Sequence, residues 1–278
     1  MNTTAPDGWV AGAVLQRLFS RFREGWRELP VLARRRWVRT LAAGYLLLIA
    51  FVALLELLGQ RLASAGAFDW ETDFLRRMEA WALLSFSTGV WLQTLGTDIT
   101  LALITLFAAA VAAWVRRPLE ALSIVAATAL LDPAVRLGWL LWERPRPDIV
   151  LGGAAAPGFH AFPSGHVAKS LALYGLLAHL WMLASRRWTE RAIAWLLALV
   201  TVCLVAAARV RIGAHWPSDI VGGAIVGAAW LAVLVLALRR AGTARSRVLN
   251  PPDSPAGARP PAPGESPGSL PPGSTASG

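Results

Sequence analysis

The sequence contains little charge, almost no lysine and only one cysteine. Asp, Glu, Lys and Arg together make up 16% of the 278 residues, whereas 55% are hydrophobic, and the mean hydropathy is +0.49. Lys169 is the only lysine, and the lone Cys203 lies inside an apolar run. A single cysteine excludes an intramolecular disulfide, and the low charge argues against an ordinary soluble domain. The composition therefore indicates an integral membrane protein.

Six apolar runs are long enough to cross the hydrocarbon core of a membrane as helices, which takes about twenty residues each. We predict an all-α protein, a six-transmembrane-helix bundle. Between the first two helices, residues 70–91 combine charged and apolar side chains over too short a length to span, and we predict an interfacial amphipathic segment there. The six predicted helices cover residues 41–58, 97–115, 119–142, 167–184, 192–208 and 220–238.

The third predicted helix contains two charged side chains, Asp132 and Arg136. They are four residues apart, so on a helix they share a face and can pair. Because charges inside a membrane usually pair or serve a site, we predict an internal ion pair.

Arginine supplies nearly all of the basic charge behind the net charge of +10, in short clusters between the apolar runs. This distribution indicates loops that face an anionic cytoplasmic leaflet, and it argues against a nucleic-acid-binding surface. With six crossings the clusters fall on one side, so we expect both termini to be cytoplasmic. The Arg- and Ala-rich composition resembles that of a high-GC bacterial genome, so we expect a bacterial inner membrane. The chain then divides into a basic N-terminal segment (1–40), a membrane domain (41–240) and a disordered Pro/Gly/Ser-rich tail (241–278).

Two loops on the opposite side of the predicted bundle collect arginine and histidine at helix ends. Arginine offers a planar fork of donors that matches phosphate oxygens, and a helix N-terminus favours an anion. We therefore predict a phosphate pocket in which one histidine is a nucleophile and the other a proton donor. The first loop contains Arg144, Arg146, Ser164, Gly165 and His166, and the second contains Arg209, His215 and Asp219.

His215 and Asp219 form the natural catalytic pair. Pro217 suits the first position of the last helix, which places His215 just before that helix and Asp219 in its first turn. A carboxylate there can accept a hydrogen bond from Nδ1–H of the imidazole and leave Nε2 free to attack. His166 is then the predicted acid that protonates the leaving oxygen.

These segments resemble the three-part signature of the PAP2 (type 2 phosphatidic acid phosphatase) family, which reads K-x6-R-P, then P-S-G-H, then S-R-x5-H-x3-D. The end of the first part matches Arg146-Pro147, and the second matches 163–166 in full. The third matches Arg209, His215 and Asp219 with the family's spacing. Three linked motifs in order are a specific signal.

The resemblance implies a role for each matching residue. His215 becomes transiently phosphorylated, His166 donates a proton to the leaving group, and Asp219 orients His215. The phosphoryl oxygens are held by Arg146, Arg209, Ser164 and the Gly165 amide. The family needs neither metal nor cofactor, and the sequence has no cluster of ligands at metal-binding spacing.

The main departure from the signature is Trp139, which stands where the family has a lysine that binds phosphate. We predict that Lys169 supplies the missing charge, because it follows His166 by one helical turn on the same face. Arg144 and Arg136 are competing substitutes.

A pocket at the outer helix ends can take a headgroup while the lipid chain stays in the bilayer. We therefore expect an enzyme that hydrolyses a lipid phosphate or diphosphate, such as undecaprenyl diphosphate, phosphatidylglycerophosphate or phosphatidic acid. Two alternatives stay open: a lipid phosphotransferase that uses the same phosphohistidine, and a non-catalytic protein that binds phospholipids through a relic site.

Overall fold

The computed structural model describes residues 8–80, 85–147 and 160–249. Within these ranges the chain forms ten α-helices and no β-strand, and a 3-10 turn at Thr94–Gly96 joins α4 to α5. The helices are α1 (Gly8–Glu28), α2 (Val31–Ser64), α3 (Trp70–Ala80), α4 (Phe86–Gln93), α5 (Asp98–Trp114), α6 (Pro118–Ala129), α7 (Leu131–Leu141), α8 (Gly165–Ala184), α9 (Trp188–Arg211) and α10 (Pro217–Leu249).

Six helical segments in the described part of the chain are long and apolar enough to cross a membrane. They correspond one to one with the six helices predicted from the sequence, so the all-α, six-helix architecture is confirmed. The segments are Val31–Ser64, Phe86–Trp114, Pro118–Leu141, Gly165–Ala184, Trp188–Arg211 and Pro217–Thr243.

The outer helices cross the domain boundaries that we predicted at residues 40 and 240. Helix α2 begins at Val31, directly after Pro30, and α10 continues to Leu249. The N-terminal segment also contains α1, which packs against α5 and α6. Most of the tail that we predicted to be disordered, residues 250–278, lies outside the described residues.

The predicted interfacial segment separates into two helices with different surroundings. Helix α3 is amphipathic, since Glu71 and Leu75 are buried while Asp73 and Arg76 are exposed. Helix α4 continues through the 3-10 turn into α5, so the second span begins at Phe86, eleven residues before the predicted start. Both α3 and α4 pack against α9, and residues 81–84 between them lie outside the described part.

The third span is two helices, because the chain breaks its helical bonding at Leu130 between α6 and α7. Pro133 follows closely, and proline cannot donate the backbone hydrogen bond that a continuous helix needs. Asp132 and Arg136 both lie on α7, and Arg136 Nε donates to Asp132 Oδ2 at 2.6 Å. The ion pair predicted from their spacing is confirmed, but its internal position is not, because the Arg136 side chain is 62% exposed.

Helix α8 is the central helix of the bundle. The protein buries 56% of its span, compared with 22 to 39% for the other five. Its apolar face packs on α9 and α10, and its fully buried residues include Leu173 and Leu176. Trp230 of α10 is also fully buried and donates its Nε1–H to the Ala126 carbonyl at 3.1 Å. The helix that begins at Gly165 is therefore packed against several other helices, which fixes the position of the residues at its start.

Candidate active site

The three sequence motifs meet at one end of the bundle. The Ala161 amide donates to the Arg144 carbonyl at 3.1 Å, and the Ser164 amide donates to the Asp219 carbonyl at 3.0 Å. Gly223 lets α10 approach this segment closely, because a Cβ there would lie 2.5 Å from the Ser164 carbonyl oxygen. The loop after α7, the start of α8 and the start of α10 therefore form one connected unit.

The turn between α9 and α10 presents His215. Gly213 has a φ of +68°, in the left-handed region that glycine tolerates best, and it turns the chain back toward the bundle. Helix α10 then begins at Pro217, as predicted. Asp219 lies in its first turn, and its Oδ2 accepts the Trp216 backbone N–H at 2.7 Å, which stabilises the helix start.

The imidazole of His215 is 1% exposed and has three polar neighbours, of which Arg209 Nη2 lies 3.4 Å from Nε2. Its Nδ1 lies 2.8 Å from the Ala161 carbonyl oxygen and 3.6 Å from Asp219 Oδ2. Because a carbonyl can only accept, Nδ1 carries the proton and donates it to Ala161, which leaves Nε2 unprotonated. The expected hydrogen bond from Nδ1–H to Asp219 is therefore replaced by one to the backbone. Asp219 remains close enough to interact electrostatically.

Burial is the main influence on the protonation of His215. It lowers the pKa of His215 below the ordinary value of 6.5, because a buried site disfavours the charged imidazolium. The nearby Asp219 opposes this change, whereas the positive charges of Arg209 and Arg146 add to it. The geometry and the electrostatics thus both favour a neutral imidazole with an unprotonated Nε2, whose neighbour in the protein is Arg209 Nη2.

His166, the second residue of α8, is half-buried and belongs to the same group of side chains. Four titratable neighbours act electrostatically on its ring: Arg209, His215, Lys169 and Arg146. The structure therefore brings the two histidines and the arginines of the first and third motifs into one group.

Three buried donor atoms near the histidines have no protein partner among the described residues: Arg146 Nε, Ser164 Oγ and Arg209 Nε. Each such donor costs about 1–3 kcal/mol, so a group of them calls for an explanation. Arg209 does use its Nη1 to donate to Gln93 Oε1 at 2.9 Å, which fixes the plane of its guanidinium. Burial also lowers the pKa of Arg146, and Asp219 opposes that shift. The unpaired donors come from all three motifs and are suited to the oxygens of one anion.

Lys169 is buried one turn after His166, and two carboxylates hold its ammonium group. Nζ donates to Asp132 Oδ1 at 2.9 Å and also pairs with Asp98. Any phosphoryl group would therefore compete with two acidic side chains for Lys169. The sequence reasoning placed Lys169 beside His166 but did not anticipate Asp98.

Trp139, at the position of the family's lysine, lies against the second motif. Its Nε1–H donates to the Pro163 carbonyl at 3.2 Å, and its ring stacks on His160 with centroids 5.8 Å apart. The Arg136 guanidinium covers the ring, 5.8 Å from its centroid, and pairs with Asp132. The tryptophan therefore supports the segment that positions Ser164. The contacts of Arg136 are with other residues of α7.

Arg144, the other substitute considered for the missing lysine, binds protein carboxylates. It is 7% exposed, and its guanidinium pairs with Asp219 Oδ1 and with Glu71 Oε2, each at 2.5 Å. Glu71 lies on α3, and the sequence analysis assigned it no role. No local spacing could have identified it, because 73 residues separate it from Arg144.

Known proteins of one superfamily are similar to this chain. The model of the PAP2 superfamily matches residues 119–242. An undecaprenyl-diphosphatase from Sulfolobus acidocaldarius is 29% identical over 86 residues, which cover 31% of this chain and 37% of that relative. The chain thus spans little more than a third of that relative's length.

A solved structure supports the same fold. It is described as the first transmembrane PAP2 type phosphatidylglycerolphosphate phosphatase from Bacillus subtilis. It superposes with a TM-score of 0.56 at 18% identity and covers 69% of this chain and 94% of its own. At that identity the likeness concerns the helical architecture.

Proposed function

Because the chain carries a PAP2 superfamily domain over residues 119–242, we propose that it is an integral membrane phosphatase that hydrolyses a lipid phosphate or diphosphate. One observation carries the proposal: two histidines meet three unpaired, buried donor atoms at one end of the helical bundle. That arrangement combines a nucleophile, an acid and a cationic site for phosphoryl oxygens.

In the first step, Nε2 of His215 attacks the phosphorus atom of the substrate. An N–P bond forms while the bond from phosphorus to the leaving oxygen breaks, and His166 gives that oxygen a proton. Positive charge develops on the His215 ring. The Ala161 carbonyl, which accepts from Nδ1–H, and the Asp219 carboxylate, 3.6 Å from Nδ1, both stabilise this charge.

In the second step, a water molecule attacks the phosphorus of the phosphohistidine. His166, which lost its proton in the first step, now takes one from this water. The N–P bond breaks, its electron pair returns to Nε2 of His215, and inorganic phosphate leaves. The same residue is thus the acid in one half of the reaction and the base in the other.

The non-bridging phosphoryl oxygens are bound by donors from all three motifs. Arg146 and Arg209 supply charged N–H groups, and Ser164 supplies its hydroxyl. Gly165 is the first residue of α8, so its amide has no acceptor inside that helix and can donate to the anion. These donors stabilise the charge of the five-coordinate transition state more than that of the substrate.

Lys169 belongs to the proposed phosphate-binding set in a secondary role. Its ammonium adds positive charge one turn beyond His166. To contact a phosphoryl oxygen directly, it has to exchange Asp98 or Asp132 for the substrate. Mutation can therefore separate the contribution of Lys169 to phosphate binding from that of the arginines.

The proposed substrate keeps its chain in the bilayer while its headgroup enters the site. Undecaprenyl diphosphate is the first lipid to test, because the Sulfolobus relative is named for that activity. Phosphatidylglycerophosphate and phosphatidic acid are the next two. The arginine clusters at the opposite helix ends favour a cytoplasmic location for both termini, with the site on the outer face of a bacterial inner membrane.

Phosphate release by the purified full-length protein in detergent tests the proposed function. We expect release from at least one of the three lipids and none from His215→Asn. His179→Asn is the matched control, because His179 lies on α8 roughly 20 Å beyond His166, at 1.5 Å per residue. Transfer of the phosphoryl group to a sugar or lipid hydroxyl would identify a phosphotransferase. Binding without turnover of any lipid would contradict the enzyme proposal.

A further inference from the structure

We propose that Glu71 is a positioning residue that acts on His215 through Arg144 and Asp219. The inference rests on the proposed function of His215 as the nucleophile. Glu71 precedes the PAP2 domain in the chain and lies on α3, the helix predicted to be interfacial. Its role would make α3 a structural part of the active site.

Continuous short contacts connect Glu71 to the catalytic pair. Glu71 Oε2 accepts from Arg144 Nη2 at 2.5 Å, and Arg144 Nη1 donates to Asp219 Oδ1 at 2.5 Å. The second oxygen of Asp219 lies 3.6 Å from His215 Nδ1. One guanidinium therefore holds two carboxylates, and the second of these faces the imidazole.

Glu71 also holds the start of α10. Its Oε1 accepts the backbone N–H of Ser218 at 2.7 Å, while Arg144 donates to the Ser218 hydroxyl at 2.6 Å. A carboxylate at a helix N-terminus binds N–H groups that have no partner inside the helix and interacts favourably with the helix dipole. Because Asp219 lies in this same turn, Glu71 fixes both the backbone and the side-chain partner of Asp219.

Burial makes this network sensitive to the loss of any member. Glu71 is 1% exposed and Asp219 is fully buried. The Arg144 guanidinium lies 5.0 Å from the ring centroid of Phe68 and 5.7 Å from that of Trp216. Removing one partner of a buried ion pair leaves the other charge without compensation, which is strongly unfavourable. A network of this kind keeps its geometry only while all three charges are present.

The network also adjusts the charge near His215. The groups that face His215 are Arg209 from α9, Arg146 from the loop after α7, His166 from α8 and Asp219 from α10. Arg144 contacts Asp219 directly, and Glu71 contacts Arg144. These two side chains carry opposite charges.

The two replacements therefore shift the pKa of His215 in opposite directions. Glu71→Gln removes a negative charge, which disfavours the imidazolium and lowers this pKa. Arg144→Gln removes a positive charge and raises it. A loss of packing alone would not shift the pKa of His215 in opposite directions in the two variants.

Two measurements on the full-length protein test the inference. The first is the NMR titration of ¹³C-labelled histidine, which needs no activity; the chain has four histidines, and His215→Asn identifies the relevant signal. We expect Glu71→Gln to move the His215 titration to lower pH and Arg144→Gln to move it to higher pH. Shifts in the same direction, or no shift, overturn the inference.

The second measurement is the kinetics of phosphate release. Glu71→Gln should lower kcat by up to about a hundredfold, the effect expected when a catalytic group is misplaced by roughly 1 Å, with KM almost unchanged. Glu71→Asp should recover part of this loss. Asp73→Asn is the matched control, because Asp73 is an exposed carboxylate on the same helix, and it should behave as wild type. Equal rates for Glu71→Gln and Asp73→Asn also overturn the inference.

The two readouts separate the inference from the proposed function. Opposite NMR shifts without phosphate release from any lipid would support the network and contradict the enzyme. Normal phosphate release in every variant, with no NMR shift, would support the enzyme and contradict the role of Glu71. If Arg144→Gln fails to fold, Arg144→Lys keeps the positive charge and should leave the His215 titration close to that of wild type.

Discussion

The Nδ1 atom of His215 lies 2.8 Å from the Ala161 carbonyl oxygen, closer than the 3.6 Å that separates it from Asp219. The backbone, and not the carboxylate, therefore fixes the tautomer of the proposed nucleophile. The two roles that one carboxylate usually has beside a catalytic histidine are therefore shared by two groups. Ala161 holds the ring, and Asp219 provides negative charge near it.

Replacing Asp219 should accordingly be less damaging than replacing His215. Asp219→Asn keeps an oxygen acceptor for the Trp216 amide and leaves the contact between His215 and Ala161 in place. We expect kcat to fall by about 10²-fold, because the electrostatic stabilisation of the imidazolium and the ion pair with Arg144 are lost while the contact with Ala161 remains. His215→Asn should have no measurable activity. Equal inactivity of the two variants in a phosphate-release assay would show that Ala161 does not preserve the tautomer.

The proposed acid, His166, should matter most when the leaving group is poor. His166→Asn should slow hydrolysis of a lipid monophosphate by about 10²–10⁴-fold, the usual contribution of a proton-transfer group. The nitrophenolate of a nitrophenyl phosphate departs without needing a proton, so its release in the first step should slow much less. The comparison uses the rate of leaving-group release in a single turnover, because the second step, in which His166 is the base, is common to both substrates. A loss of equal size on the two would contradict the assignment of His166 as the acid.

The arginines with unpaired donors should determine affinity for phosphoryl groups. Arg146→Gln and Arg209→Gln should each weaken inhibition by vanadate about 10–100-fold, since a hydrogen bond to a charged group contributes roughly 1.5–3 kcal/mol. Substitution by lysine should rescue only partly, because lysine lacks the planar fork. Arg187→Gln, an exposed residue at the start of α9, is the control and should leave inhibition unchanged. Wild-type vanadate inhibition in both site variants would mean that these arginines do not bind the anion.

Lys169 can be tested against its own carboxylate partners. Lys169→Met should raise KM if the ammonium reaches the phosphoryl group. Asp132→Asn removes a competitor for that ammonium and should leave KM unchanged or lower it. The double variant Lys169→Met/Asp98→Asn is the control, because it also neutralises the Asp98 carboxylate that loses its ion-pair partner in Lys169→Met. A near-normal rate and KM for Lys169→Met would rule out the phosphate-binding role and leave Lys169 as the centre of an ion-pair cluster.

The spans could be predicted from the sequence because each is a largely apolar run of sufficient length, but their ends could not. Helix α2 begins at Val31 although Arg34 and Arg35 follow immediately. Arginine is a good helix former, and Arg34 places its guanidinium over the Trp26 ring, 5.5 Å from the centroid. A run of arginines therefore looks like a loop in a hydropathy pattern while forming the first turn of a helix.

The residues of the site were predictable where a local pattern carries them. His215 and Asp219 are four residues apart around Pro217, so helix geometry alone placed them together. The acceptor of His215 is a backbone carbonyl, at Ala161, and no side-chain pattern reveals it. Glu71 reaches Ser218 across 147 residues of sequence, a contact that only tertiary packing creates.

The central claim is that His166 and His215 flank a single phosphoryl group, and a structure of the protein with vanadate tests it most directly. We predict a five-coordinate vanadium bonded to Nε2 of His215, with His166 beside the opposite apical oxygen and Arg146 and Arg209 on the equatorial oxygens. Vanadate bound away from His215, or no bound vanadate at saturating concentration, would contradict the claim.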